Sequence, residues 1–309
     1  MERSRLLTYG ERALAAALLA LAVAAAVLES RSSVAAAVRE GRPWSCWLAL
    51  DVPGSTLPHL FLAYYAPRAR SFDLVYVPQS TKLPDGATLT RVYTAAKREG
   101  ASDDDAAKAM ADAAQQLVEP TPHFFRAAMA AGDEPPVAAR RWAANKTRGG
   151  AFWRSVFSRR NGHGLEAFEL FRLGLEIHEM DDDHLRGAYL PGQEDIPSYF
   201  AVLRGDSAMD EHGEPRVPHE VTVEILNATS KTGVANKLTK LLRLRGADVM
   251  STGNAAAAQS RTVVYDRVGR PELAAKVRRM LDCPTAEAVT QIDAKRLVDV
   301  SVVLADDCL

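Results

Sequence analysis

The chain has 309 residues, 47% of them hydrophobic and 25% charged, with 38 basic against 39 acidic side chains. That length suggests two domains, each able to bury its own core, and the apolar share excludes wholesale disorder. A near-zero net charge argues against a dedicated nucleic-acid binder. Cys46, Cys283 and Cys308, with no CxxC pair, argue against a structural zinc site or a disulfide scaffold.

Ala13 to Leu28 is an uncharged, alanine- and leucine-rich run. At about 1.5 Å per residue it spans roughly 24 Å, short of the ~30 Å hydrocarbon core unless Arg12 snorkels outward. No polar stripe interrupts it, which disfavours a soluble core helix. Residues 1–12 then read as a cytoplasmic tail, 13–28 as a transmembrane anchor and 29–43 as a polar stalk. A cleaved signal peptide fits the same residues. Arg3, Arg5 and Arg12 precede the run and Arg31, Arg39 and Arg42 follow it, so the positive-inside rule does not orient it.

Cys46–Asp51, His59–Tyr65 and Phe72–Val77 are strand-like, and Pro67-Arg68-Ala69-Arg70 reads as the turn between the last two. Ser102 and Asp105 form a capping-box pattern ahead of a helix that buries Ala106, Met110, Ala113, Ala114 and Leu117. A second amphipathic helix places Leu165, Phe168, Phe171 and Leu175 on one face. Residues 206–219, polar and punctuated by Gly and Pro, read as a linker.

In the last ninety residues Val221, Val223 and Ile225 alternate as a half-buried strand. A helix follows with Val234, Leu238, Leu241 and Leu242 inward and Gly246 as its stop. Strands at Ala247–Thr252 and Arg261–Tyr265 precede a helix opened by Pro271 and Glu272 and closed by Arg278 and Arg279. Val298 to Leu304 is a final strand. The order β-α-β-β-α-β predicts a small split-βαβ sandwich. In that topology Cys283 and Cys308 lie at opposite ends of the last strand, roughly 30 Å apart at ~3.3 Å per residue, and form no disulfide.

Val221 to Leu304 resembles the C-terminal domain of LytR-type cell-envelope proteins. The resemblance rests on Asn227, on Gly233 and Ala235 opening the helix, on Gly246 closing it, and on Gly253-Asn254 and Thr262-Val263-Val264-Tyr265. Ala228 departs from the glycine usual after that Asn. The resemblance implies an extracytoplasmic module without known catalytic residues. Upstream, residues 44–205 resemble a degenerate LytR–CpsA–Psr domain, through CWLALD, LFLAYYAPRARSFDLVYVPQST, TLTRVYTAAKREG before the next helix, and HLRGAYLPG as closing strand. The fold class this implies is α/β, with an N-terminal membrane helix, an α/β/α LytR–CpsA–Psr-like domain and the small C-terminal domain at 220–309.

Active members of that family transfer glycopolymer from a polyprenyl pyrophosphate to the cell wall, with arginines on the diphosphate and aspartates on Mg²⁺. Here Ile-Pro-Arg-Asp-Thr is replaced by Val77-Pro78-Gln79-Ser80-Thr81, the second metal aspartate falls near Pro58-His59, and Lys-Leu-Asn reads Thr88-Leu89-Thr90. No arginine-tyrosine-arginine strand follows. Asp51 remains, and one carboxylate holds Mg²⁺ weakly. The expected role is therefore non-catalytic binding or scaffolding in envelope assembly, with no cofactor. An active phosphotransferase, the alternative, would need Mg²⁺ and Asp51, Arg68, Arg70, Lys82 or Arg91 in altered positions.

Between Glu134 and Glu166 there are seven basic residues and no acid, with Trp142, Phe152, Trp153 and Phe157 interleaved. Arg148, Trp153, Arg154, Arg159 and Arg160 are thus candidate contacts for anionic lipid, polyprenyl phosphate or wall glycan. The plainer explanation is a helix whose aromatics pack inward. His178 and His184 are spaced wrongly for a shared helical face, so no metal site is expected there. Asp103–Asp105 and Asp181–Asp183 read as helix starts. Asn227-Ala228-Thr229 reads as shaping a helix N-terminus. Nucleotide-binding and serine-hydrolase motifs are absent.

Overall fold

A computed structural model describes residues 2–118, 121–129, 134–144, 150, 152–154, 166–204 and 220–309, with side chains from residue 14 onward. Helix α1 (Glu2–Arg31) leads into α2 (Ser33–Glu40). No residue of Leu14–Arg31 is buried, and that stretch is long and apolar enough to cross a membrane. The segment expected as a stalk is folded instead. The Ser32 hydroxyl accepts from Ala35 N at 3.1 Å, Val34, Ala35 and Ala37 are buried, and Gly41 closes α2 at φ +62°. Its apolar face, not its polar composition, decides its fate.

Strands β1 (Trp44–Asp51), β2 (His59–Ala66) and β3 (Ser71–Val77) form an antiparallel meander with the expected turn at 67–70. Then come α3 (Leu89–Arg98), α4 (Asp103–Ala114), β4 (Phe124–Ala128), α5 (Pro135–Ala144), α6 (Ala167–His178), β5 (Leu185–Tyr189) and α7 (Ile196–Arg204). Strand β4 lies parallel to β1, and β5 parallel to β3. Phe61, Ala63 and Tyr65 of β2 enter one core with α2, α5 and α6. Leu60, Leu62 and Tyr64 enter the other with α3, α4 and α7. Both sheet faces are thus covered, which is why these strands read as nearly continuous apolar runs.

Three expectations about helices change. TLTRVYTAAKREG does not merely precede a helix: Thr88 caps it, accepting from Arg91 N at 3.3 Å, and Leu89 and Tyr93 bury one face of α3. Helix α6 buries Leu170, Leu173, Gly174 and Ile177, whereas Phe171 and Leu175 are exposed; Leu165 lies outside the described residues. Asp181–Asp183 form the turn into β5 and start no helix. The helix beginning after Ser102 matches expectation, with Asp105 N donating to Ser102 Oγ at 3.1 Å.

The C-terminal unit runs β6 (Val221–Asn227), α8 (Val234–Leu244), β7 (Ala247–Asn254), β8 (Val263–Asp266), α9 (Pro271–Met280), β9 (Glu287–Thr290), β10 (Val300–Leu304) and a short 3-10 helix (Asp306–Cys308). Strand β9 was not foreseen, and the split-βαβ expectation is corrected. The parallel partners β6–β7 and β8–β9 are adjacent, and β10 is inserted between the two pairs. Helices α8 and α9 pack on one face over Val221, Val223, Ile225, Val300 and Val302.

The extra strand also overturns the cysteine expectation, because Cys283 and Cys308 form a disulfide with Cα atoms 5.4 Å apart. After Cys283 the chain leaves along β9, returns along antiparallel β10, and so delivers Cys308 beside its start.

The expected linker at 206–219 lies outside the described residues. The two units nonetheless share one ten-stranded sheet, because β5 pairs in parallel with β9 through Gly187–Val289 and Ala188–Thr290. Gly187 permits this junction: a Cβ there would come within 2.5 Å of the Pro136 carbonyl oxygen, where α5 lies on β5.

Candidate functional site

Strands β1, β3, β4 and β5 run in one direction, so their carboxyl ends form the edge where α/β sheets place ligands. Asp51 ends β1 there. Its Oδ1 accepts from Arg126 Nε at 3.2 Å and from a terminal guanidinium nitrogen at 3.0 Å, while Oδ2 stands 2.9 Å from Nε. The remaining terminal nitrogen of Arg126 reaches Asp104 at 2.6 Å. Burial works against the Arg126 charge, and hydrogen bonds to Asp51 and Asp104 outweigh it, raising its pKa. A guanidinium thus takes the place a cation would occupy between two carboxylates, and this donor set does not fit Mg²⁺.

Lys82 and Arg91 are exposed at the same edge, Lys82 bridging Thr88 and Arg91 in the first turn of α3. Gln79, where the family pattern has arginine, donates Nε2 to Pro58 O at 3.1 Å and accepts Thr90 N at 3.1 Å through its own carbonyl. It closes the loop as a neutral strut. Arg68 and Arg70 lie on the β2–β3 turn, at the opposite end of the sheet. The five residues of the transferase alternative are therefore split between two edges.

The acid-free stretch finds its acid elsewhere. Arg140, only 7% exposed, pairs with Glu287 of the C-terminal unit and donates Nε to Leu185 O at 2.9 Å. Arg141 Nε reaches the same carboxylate at 2.8 Å. Trp142 and Phe152 are buried, in line with the plainer explanation. Trp153 packs against Gly174 and Phe171, and Arg154 is exposed. Arg148, Arg159 and Arg160 lie outside the described residues. Asp183 is tied to Arg278 at 2.5 Å and to Arg279, a second set of charges across the junction. Arg126 and Glu287 escaped the sequence reading because each meets its partner only through the sheet. The one sequence signal was an arginine inside the apolar run FFRAA.

Besides Glu287, two carboxylates are buried among the described residues. Asp73 takes a hydrogen bond from Ser71 at 3.0 Å, and burial raises its pKa against the pull of Arg186. Asp266 accepts from Thr290 Oγ1 and Val268 N, each at 3.0 Å, and burial pushes it up to about 6.

In the C-terminal unit Asn227 organises the expected turn: Oδ1 accepts Thr229 N at 3.0 Å and Nδ2 donates to Lys231 O at 2.9 Å. That turn, the start of α8 and residues 252–258 line an open groove of about 700 Å³. Cys283, Asp307 and Cys308 cluster closely enough for a metal, but both sulfurs are spent in the disulfide.

A mixed α/β sheet whose last third is a β/α module with a bridged C-terminus defines the class. Residues 220–307 match the family model described as LytR cell envelope-related transcriptional attenuator, so the resemblance read at Val221–Leu304 holds for that unit. No curated protein matches the chain. Among solved structures the chain is similar to Lmo1026 of Listeria monocytogenes (fragment 52–321), named as a transcriptional factor. Identity there is 14% over 36% of this chain and 37% of that one, with a TM-score of 0.22. It is also similar to the Lin1025 protein of Listeria innocua, at 18% identity over 28% and 34% of the two chains, with a TM-score of 0.21. The chain spans about a third of the length of either neighbour.

Proposed function

We propose that this is a membrane-anchored, extracytoplasmic LytR-type protein whose residues 44–204 serve binding or scaffolding in cell-envelope assembly, not glycopolymer transfer. The observation that carries the proposal is Asp51. The only carboxylate left from the family's metal set is neutralised by Arg126, while Arg68 and Arg70 stand at the far edge of the sheet. Phosphoryl transfer needs cations converging on the migrating diphosphate, and of the four candidate cations only Lys82 and Arg91 share this edge with Asp51.

The location is supported by α1, which leaves Leu14–Arg31 unburied, and by the Cys283–Cys308 bridge, since disulfides persist in oxidising compartments. The partner chemistry this favours is anionic: lipid headgroup, polyprenyl phosphate or wall glycan. To test the catalytic half, the full chain in detergent is offered a polyprenyl pyrophosphate with Mg²⁺. Phosphate release no faster than in a protein-free control is expected, and robust release contradicts the proposal.

A further inference from the structure

Helix α1 joins the fold at one end of the N-terminal sheet. Glu29, near its end, pairs with Arg172 at 3.2 Å; Arg172 also holds Glu176, which accepts the Tyr65 hydroxyl at 2.6 Å near the end of β2. Trp44, the first residue of β1, donates Nε1 to Ser33 Oγ at 2.9 Å. The base of α1 and the β2–β3 turn therefore share an edge. On that turn Arg68 and Arg70 are exposed, and neither makes an ion pair among the described residues. Arg70 holds φ +50°, a backbone state that favours glycine. Arg68 lies across Gly41, where a Cβ would meet its Nε at 2.9 Å. With Arg42 it lines a hollow of about 160 Å³, and Glu40 pairs with Arg42. Only α2, about 12 Å of helix, separates Gly41 from the end of α1.

We propose that Arg68 and Arg70, with Arg42 beside them, form a footing for anionic phospholipid headgroups, seating the sheet edge on the membrane that α1 enters. This rests on the anchoring reading above. Guanidinium groups grip phosphate oxygens in bidentate fashion, and each basic group at an anionic surface strengthens association about fivefold. The same placement explains why Arg68 and Arg70 are remote from Asp51: they face lipid.

The test uses the full chain in nanodiscs of phosphatidylcholine alone or mixed with phosphatidylglycerol, read by amide hydrogen exchange. Exchange at residues 40–43 and 66–71 is expected to slow about fivefold or more in the anionic discs. The R68E/R70E pair should lose that protection and R68K/R70K should keep most of it, with β1 and β6 exchanging alike in every variant. Equal exchange in the two discs, with the chain inserted, overturns the footing. Protection reproduced by inorganic phosphate with phosphatidylcholine discs overturns it too. A chain that gel filtration finds outside both discs overturns the anchor itself, a failure distinguishable from the other two.

Discussion

Asp266 and Glu287 show how much of this protein's chemistry depends on single buried acids. The Asp266 carboxyl has its pKa raised by burial to about 6, above its unfolded value. Between about pH 4 and 6 the folded state therefore holds a proton that the unfolded chain has lost, and stability falls as pH rises through that window. The difference in unfolding free energy between wild type and Asp266→Asn should shift by about 2 kcal/mol from pH 4 to pH 7. A constant difference in urea titrations at the two pH values would remove Asp266 from the account. Glu287→Ala leaves the Arg140 guanidinium buried without its counter-ion, so a loss of about 3–5 kcal/mol is expected by the same method. Neither role was legible in the sequence. Asp51 was visible as a strand-end carboxylate, but Arg126, which decides what Asp51 can do, follows 75 positions later.

Strands proved easier to read than helix faces. The runs at 46–51, 59–65 and 72–77 announce themselves because both sheet faces are covered and, apart from Asp51, His59 and Asp73, every position is apolar. Helix α6 carries two apolar stripes at helical spacing, Phe168–Phe171–Leu175 and Leu170–Leu173–Ile177. Composition does not rank them; the choice falls to Gly174, whose missing side chain admits the rings of Phe152 and Trp153. Strand β5 makes the stricter demand. Gly187→Ala would push a methyl into the Pro136 backbone, which cannot yield as a flexible side chain could. A destabilisation of about 1–3 kcal/mol is expected, read as a lowered urea midpoint with an unchanged slope. An unaltered midpoint would show that α5 does not sit on β5 as described.

At the scale of the molecule, the chain's two halves were legible but their union was not. The LytR-type module could be read from Asn227, Gly233 and Gly246, local features of turns and helix ends. That β9 would pair with β5, and that Glu287, Arg278 and Arg279 would serve acids and bases of the other half, is set by packing between residues 95 to 147 positions apart. The disulfide was missed for the same reason, since it depends on an unforeseen strand reversing the chain. Replacing Cys283 and Cys308 by serine should cost about 3.5 kcal/mol, the loop-closure value for the 25-residue separation they bridge. The bridge also bears on where the protein works. The central claim, an anchor at α1 with the rest of the chain outside the cytoplasm, is tested most directly by fusing alkaline phosphatase after Leu309 of the full chain in bacterial cells. Active phosphatase in the membrane fraction is the predicted result; an inactive fusion, or activity released into the soluble fraction, would contradict it.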